Sequence, residues 1–167
     1  SLKSRLPWLV ASCLGGLFVA LLLGNFSSML EKVVALAFFM PVVFGMGGNV
    51  GSQSSTITVR GIATGELGRH RVWSRLRKEV LVGLSLGIIF GGLLGCAAFL
   101  FYRDPSLSFI VGLSIMTTMT CSAAFGSMVP MVFSRFGFDP AVASGPFVTT
   151  ASDILSITIY FTIASLL

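Results

Sequence analysis

The stretch VLVGLSLGIIFGGLLGCAAFLFY, residues 80–102, contains no Asp, Glu, Lys or Arg. A helix rises 1.5 Å per residue, so about 20 apolar residues cross the roughly 30 Å hydrocarbon core of a bilayer, and this stretch is long enough. Residues 6–30, 33–59 and 105–134 are equally free of charge, and 140–167 carries one, Asp153. Lipid offers no partner to open backbone groups, which leaves helices or a closed barrel, and the two-residue alternation of barrel strands is missing. The expected fold is therefore an all-α integral membrane protein. Its five transmembrane helices should run over about 6–23, 33–62, 80–102, 107–133 and 140–166. The chain is 54% hydrophobic and 10% charged, with a mean hydropathy of +0.95. A soluble domain carries about a quarter charged residues.

The net charge of +5 has an ordered origin. Lys3 and Arg5 precede the first span, and Arg60, Arg69, Arg71, Arg75, Arg77 and Lys78 join the second to the third. Arg135 lies between the fourth and fifth, leaving only Lys32 and Arg103 on the opposite side. The positive-inside rule then puts the N-terminus in the cytoplasm and the C-terminus outside, as an odd number of spans requires. The location expected is the plasma (inner) membrane, multi-pass. Basic residues so placed set topology and meet anionic lipid, and they argue against nucleic acid as a partner. Cys13, Cys96 and Cys121 have no paired spacing and read as packing residues. The first span is too long for a signal peptide and lacks a cleavage site, so it counts as structure.

Along the chain, residues 24–28 form an external turn before Glu31 and Lys32. The second span is glycine-, amide- and hydroxyl-rich from Pro41 to Thr56, which predicts broken or polar backbone at membrane depth. Residues 60–79 read as an amphipathic connection on the membrane surface. Gly83, Gly87, Gly91, Gly92 and Gly95 give the third span a small-residue stripe for close helix packing. In the fourth, Ser114, Thr117, Thr118, Thr120 and Ser122 either bond across helices or line a wet path. Asp139 is a natural N-cap and Pro140 a natural first residue for the last helix. No internal repeat of useful length is found, so a transporter built from inverted repeats within one chain has no support.

Asp153 is the one acid placed deep within a span, roughly 20 Å along a helix counted from Pro140. A bare carboxylate there costs at least about 2.5–3.5 kcal/mol. No Lys, Arg or His lies deep in another span, since the single histidine, His70, is in the basic connection. Compensation therefore comes from a proton, shared with Thr149 or Ser156, or from a cation. Thr149, Thr150, Ser156 and Ile157 lie one turn away, with Gly145 and Pro146 further along. Pro146 lacks an N–H and frees the carbonyl of Val142. Hydroxyls, loosened carbonyls and a carboxylate suit magnesium, calcium or sodium. One carboxylate neutralises half of a divalent ion, and a symmetric dimer would supply the second. Intramembrane catalysis is not expected, because no span places a His or Lys beside a nucleophile.

The stretch PVVFGMGGNVGSQ, residues 41–53, is followed by Arg60 and by GEL at 65–67. DPA at 139–141 leads through SGPFVTT at 144–150 to Asp153. In both stretches, and along essentially its whole length, the chain resembles the MgtE family of magnesium channels. The resemblance implies a homodimer of five helices per subunit, with a central pore lined by helices two and five that moves Mg2+ into the cytoplasm. It implies that Asp153 is the central ion-binding carboxylate and holds magnesium through the ion's water shell. Backbone carbonyls near Thr149 and Gly145 would be co-ligands, and Asp139 would join a cation site at the cytoplasmic mouth. Gly48, Asn49, Gln53, Thr150 and Ser156 would line the pore, with dimer packing the other role for Asn49 and Gln53. Glu66 would cap or pack its loop, or touch metal. The expected partners are a second copy, membrane lipid, and magnesium with other divalent cations. Typical bacterial members also carry a cytoplasmic N-terminal domain and paired CBS domains that close the pore. Five residues precede the first span, so one pore domain over 1–167 is expected in this chain; the cytosolic regulatory domains are either partners outside it, the sequence being an excised pore domain, or lacking in this member. The alternative function is a cation-coupled secondary transporter or exchanger that uses Asp153 as an alternating-access site.

Overall fold

The computed structural model describes residues 2–66, 72–140 and 145–166. Every described element is a helix: α1 (Leu2–Gly24), α2 (Ser27–Lys32), α3 (Ala35–Ala63), α4 (Val72–Tyr102), α5 (Pro105–Arg135) and α6 (Pro146–Leu166). Four of them, α3 to α6, are long and apolar enough to cross a membrane. The apolar part of α1, Leu9–Gly24, is shorter.

Three sequence expectations change. Helix α3 is continuous through Pro41 and its glycines rather than broken. The external turn contains a short helix, α2, whose first residue follows Phe26. Helix α4 begins at Val72, not near residue 80, so the connection after α3 is shorter than expected. Arg75, Arg77 and Lys78 sit on α4 itself, where a helix leaving the membrane can continue with its charges among polar groups; Arg75 and Glu79 pair one turn apart. Residues 141–144, including the Val142 carbonyl, lie outside the described residues, and α6 is described from Pro146. Asp153 then stands roughly 10 Å from the described start of α6, about a third of the way along it.

The bundle is arranged around α5. Helices α3, α4 and α6 pack on it, α3 also packs on α6, and α1 rests on α6. The faces follow size more than polarity. Helix α4 buries Gly83, Gly87, Gly91, Gly95 and Ala98 while exposing Leu81, Ile88, Ile89, Leu93 and Leu100. Lipid is as apolar as leucine, so the large side chains gain nothing by turning inward, and small ones let backbones approach. The tightest crossing joins α3 to α5, where a Cβ on Gly126 would meet the Gly51 backbone, with its Cα at 2.9 Å. Cys13 and Cys96 are exposed, contrary to the packing role expected of them, and Cys121 is half-buried.

Local chemistry fixes the ends. Asp104 caps α5 by accepting from the Ser106 and Leu107 amides at 2.9 and 3.4 Å, with Pro105 at the first helical position. Tyr160 donates its hydroxyl to the Leu36 carbonyl at 2.9 Å, tying the far end of α6 to the start of α3. Phe26 stacks on Phe161 with ring centroids 4.5 Å apart, closing the same end from the α1–α2 connection. Between these ends Val43, Val50, Val111, Ile115, Met119 and Ile157 form a dry core.

Candidate functional site

Helix α6 turns two faces to the bundle. Ser152 and Ser156 point inward and are fully buried, while the next residue after Ser152, Asp153, is half-buried. The Ser156 hydroxyl donates to the Ser152 carbonyl at 2.6 Å, and that of Thr149 to the Gly145 carbonyl at 3.3 Å. Neither hydroxyl therefore satisfies the Asp153 carboxylate. Among the described residues Asp153 has no hydrogen bond and no ion pair. Of the two compensations the sequence leaves open, sharing a proton with Thr149 or Ser156 is not formed in this arrangement.

What faces the carboxylate is α3. A Cβ built on Gly48 would lie 3.9 Å from Asp153 Oδ1, so the glycine leaves the space beside the acid open. Beyond it, Asn49, Gln53 and Thr56 follow at four- and three-residue spacing along one stripe of α3, and all three are exposed. Ser52, Gln53, Thr56 and Ile57 line a hollow of about 330 Å³. The Thr56 hydroxyl is turned back onto the Ser52 carbonyl at 2.9 Å. A membrane-depth stripe of amide and hydroxyl groups is costly against lipid and suits water or a protein partner.

The other sequence candidates are dispersed. Gly145 and Thr149 lie at the start of α6, where the Gly145 carbonyl accepts both the Thr149 amide at 3.2 Å and its hydroxyl. Thr150 faces away from α3: a Cβ on Gly15 of α1 would collide with its side chain, and it lines a hollow of about 290 Å³ with Ala11, Phe147, Ala151 and Ile154. Ser156 is packed against Gly47 and Thr118 rather than open to a path. Asp139 is exposed in the connection between α5 and α6. Of the fourth-span hydroxyls, Ser114, Thr118 and Ser122 are fully buried at four-residue spacing and their oxygens have no partner among the described residues. Thr120 bonds the Met116 carbonyl at 2.7 Å. These hydroxyls belong to the α3–α5–α6 packing seam. Among the described residues no three His, Cys, Asp or Glu side chains are grouped to hold a metal.

Sequence reading misses one buried acid. The sequence places Glu79 in a surface connection, yet it is 5% exposed and accepts the Ser54 hydroxyl at 2.6 Å while pairing with Arg75. The available signal is the Arg75–Glu79 spacing of one turn, directly before a charge-free run: the pair and the run share one helix.

Comparison with known proteins adds an independent line. Residues 40–163 match the family model MgtE, described as a divalent cation transporter. The chain is 40% identical over 165 residues to a protein of Thermus thermophilus, 36% over 164 to one of Enterococcus faecalis and 35% over 161 to one of Bacillus subtilis. Each of these is named magnesium transporter MgtE. The matches cover 96–98% of this chain but 36% of each relative, so the chain spans about a third of their length.

Proposed function

The chain belongs to the MgtE family, and on that premise we propose that it is the pore domain of a magnesium channel. One observation carries this reading: a half-buried carboxylate, Asp153, with no partner among the described residues, faces the open space beside Gly48. Two copies related by a two-fold axis bring two such carboxylates to one path, balancing the charge of a divalent ion. In this reading residues 1–167 contribute five spans per subunit, with α1 as the first and the N-terminus on the cytoplasmic side of the plasma membrane. The path runs between the α3 stripe of Gly48, Asn49 and Gln53 and the Asp153 face of α6.

Magnesium gives up water reluctantly, so the carboxylates hold it through its water shell rather than by stripping it. The Gly145 carbonyl is engaged with Thr149, which favours the same outer-shell contact at that level. Asp139 attracts cations at the cytoplasmic mouth. Thr150 and Ser156 support α6 from its packed sides rather than line the path, a revision that follows from their contacts with Gly15 and Gly47.

The test is magnesium uptake into liposomes containing the purified chain, beside Asp153→Asn and Asp153→Ala. The wild type should pass a current-carrying flux, and both variants should lose flux or selectivity while remaining folded dimers. Normal flux in both variants would refute the assignment, and electroneutral saturating exchange by the wild type would favour a coupled transporter.

A further inference from the structure

Glu79 belongs to α4, and α4 packs along α5, yet its carboxylate reaches α3. Both oxygens are committed: Oε2 accepts the Ser54 hydroxyl at 2.6 Å and Oε1 pairs with Arg75. The Ser54 carbonyl accepts the Thr58 hydroxyl at 2.8 Å within α3 itself, so the bond to Glu79 is the Ser54 contact that leaves the helix. The residue before it, Gln53, is exposed and lines the hollow on another side of α3. Successive residues of a helix are about 100° apart, so the rotation that delivers Ser54 to Glu79 is the rotation that turns Gln53 outward. Apolar contacts between α3 and α5 fix a distance. A charge-assisted hydrogen bond also fixes an angle. Buried ion pairs often add little stability over an apolar replacement, and in some proteins their role is to fix registry.

We infer that Glu79 is a positioning residue for the permeation path: held by Arg75, it sets the rotation of the cytoplasmic half of α3 and so the direction of the Asn49–Gln53–Thr56 stripe. This rests on reading α3 as a pore helix. Gln53 in the stripe and Ser54 in the clamp lie on two faces of one helix, α3, so loosening the clamp from α4 changes the path without touching it.

The test places Gln53→Cys in a background with Cys13, Cys96 and Cys121 replaced by alanine. Modification of the introduced thiol by a small water-soluble reagent and disulfide crosslinking between two copies are followed in parallel, with magnesium flux in the same liposomes. Ser54→Ala and Glu79→Gln should each shift the modification rate or the crosslinking yield by about tenfold, the factor expected on losing one charge-assisted bond. The double variant should shift no further than either single one, since both act through the same bond. Unchanged modification and crosslinking in folded protein would overturn the inference, as would independent, additive shifts. Should Glu79→Gln fail to fold, Ser54→Ala decides alone, because it keeps the ion pair. The thiol readouts need no flux, so they stand apart from the Asp153 experiment, which tests the pore reading itself.

Discussion

Substituting Gly48 by alanine separates a functional glycine from a packing one. The added Cβ would lie 3.9 Å from Asp153 Oδ1, with no other atom closer, which is ordinary van der Waals contact. No neighbour has to move, so no overpacking cost arises, and alanine gains up to about 1 kcal/mol over glycine within a helix. Stability should therefore hold or rise slightly. The methyl group does, however, occupy the space beside the carboxylate where a water of the ion's shell would donate its hydrogen bond. Losing one hydrogen bond to a charged group costs about 1.5–3 kcal/mol, a factor of roughly ten or more in affinity. Flux measured against magnesium concentration in liposomes should show half-saturation moved upward by at least about tenfold, while thermal unfolding in detergent stays at or above wild type. A folded Gly48→Ala with an unchanged concentration dependence would refute the reasoning, because the ion would then not depend on the space between α3 and Asp153.

Gly126→Ala should behave in the opposite sense. Its Cβ would meet the backbone of Gly51, with the carbonyl carbon at 2.8 Å, and backbone cannot rotate aside as a side chain can. A cost of about 1–3 kcal/mol or more is expected, read as a lowered unfolding midpoint and less monodisperse protein. Tyr160→Phe removes the hydroxyl that bonds the Leu36 carbonyl and leaves that buried acceptor without this donor. It should lower stability by about 1–3 kcal/mol in the same unfolding assay, with flux per folded molecule unchanged, since both residues lie at the end of the bundle remote from Gln53.

Membrane residence and the placement of the acid are legible from the chain alone for simple reasons. A charge-free run such as 80–102 exceeds the bilayer core, and no tertiary arrangement alters that arithmetic. Asp153 stands out because a lone carboxylate in an apolar run has few ways to be compensated. The basic connection likewise announces itself, although its boundary does not. Where α4 begins depends on whether Arg75 and Glu79 can pair on a helix and reach Ser54, a contact 25 residues apart in sequence.

Which face of each helix meets which neighbour is decided by the tertiary structure. In water, hydrophobic periodicity reveals the buried face. In lipid both faces are apolar, and the distinction rests on backbone fit, as where Gly126 meets Gly51. The same physics separates Thr150, turned to α1, from Asp153, turned to α3, although they are three residues apart on one helix. It also makes Glu79 an interior residue, since the burial of a charge depends on partners that only the assembled bundle brings to it.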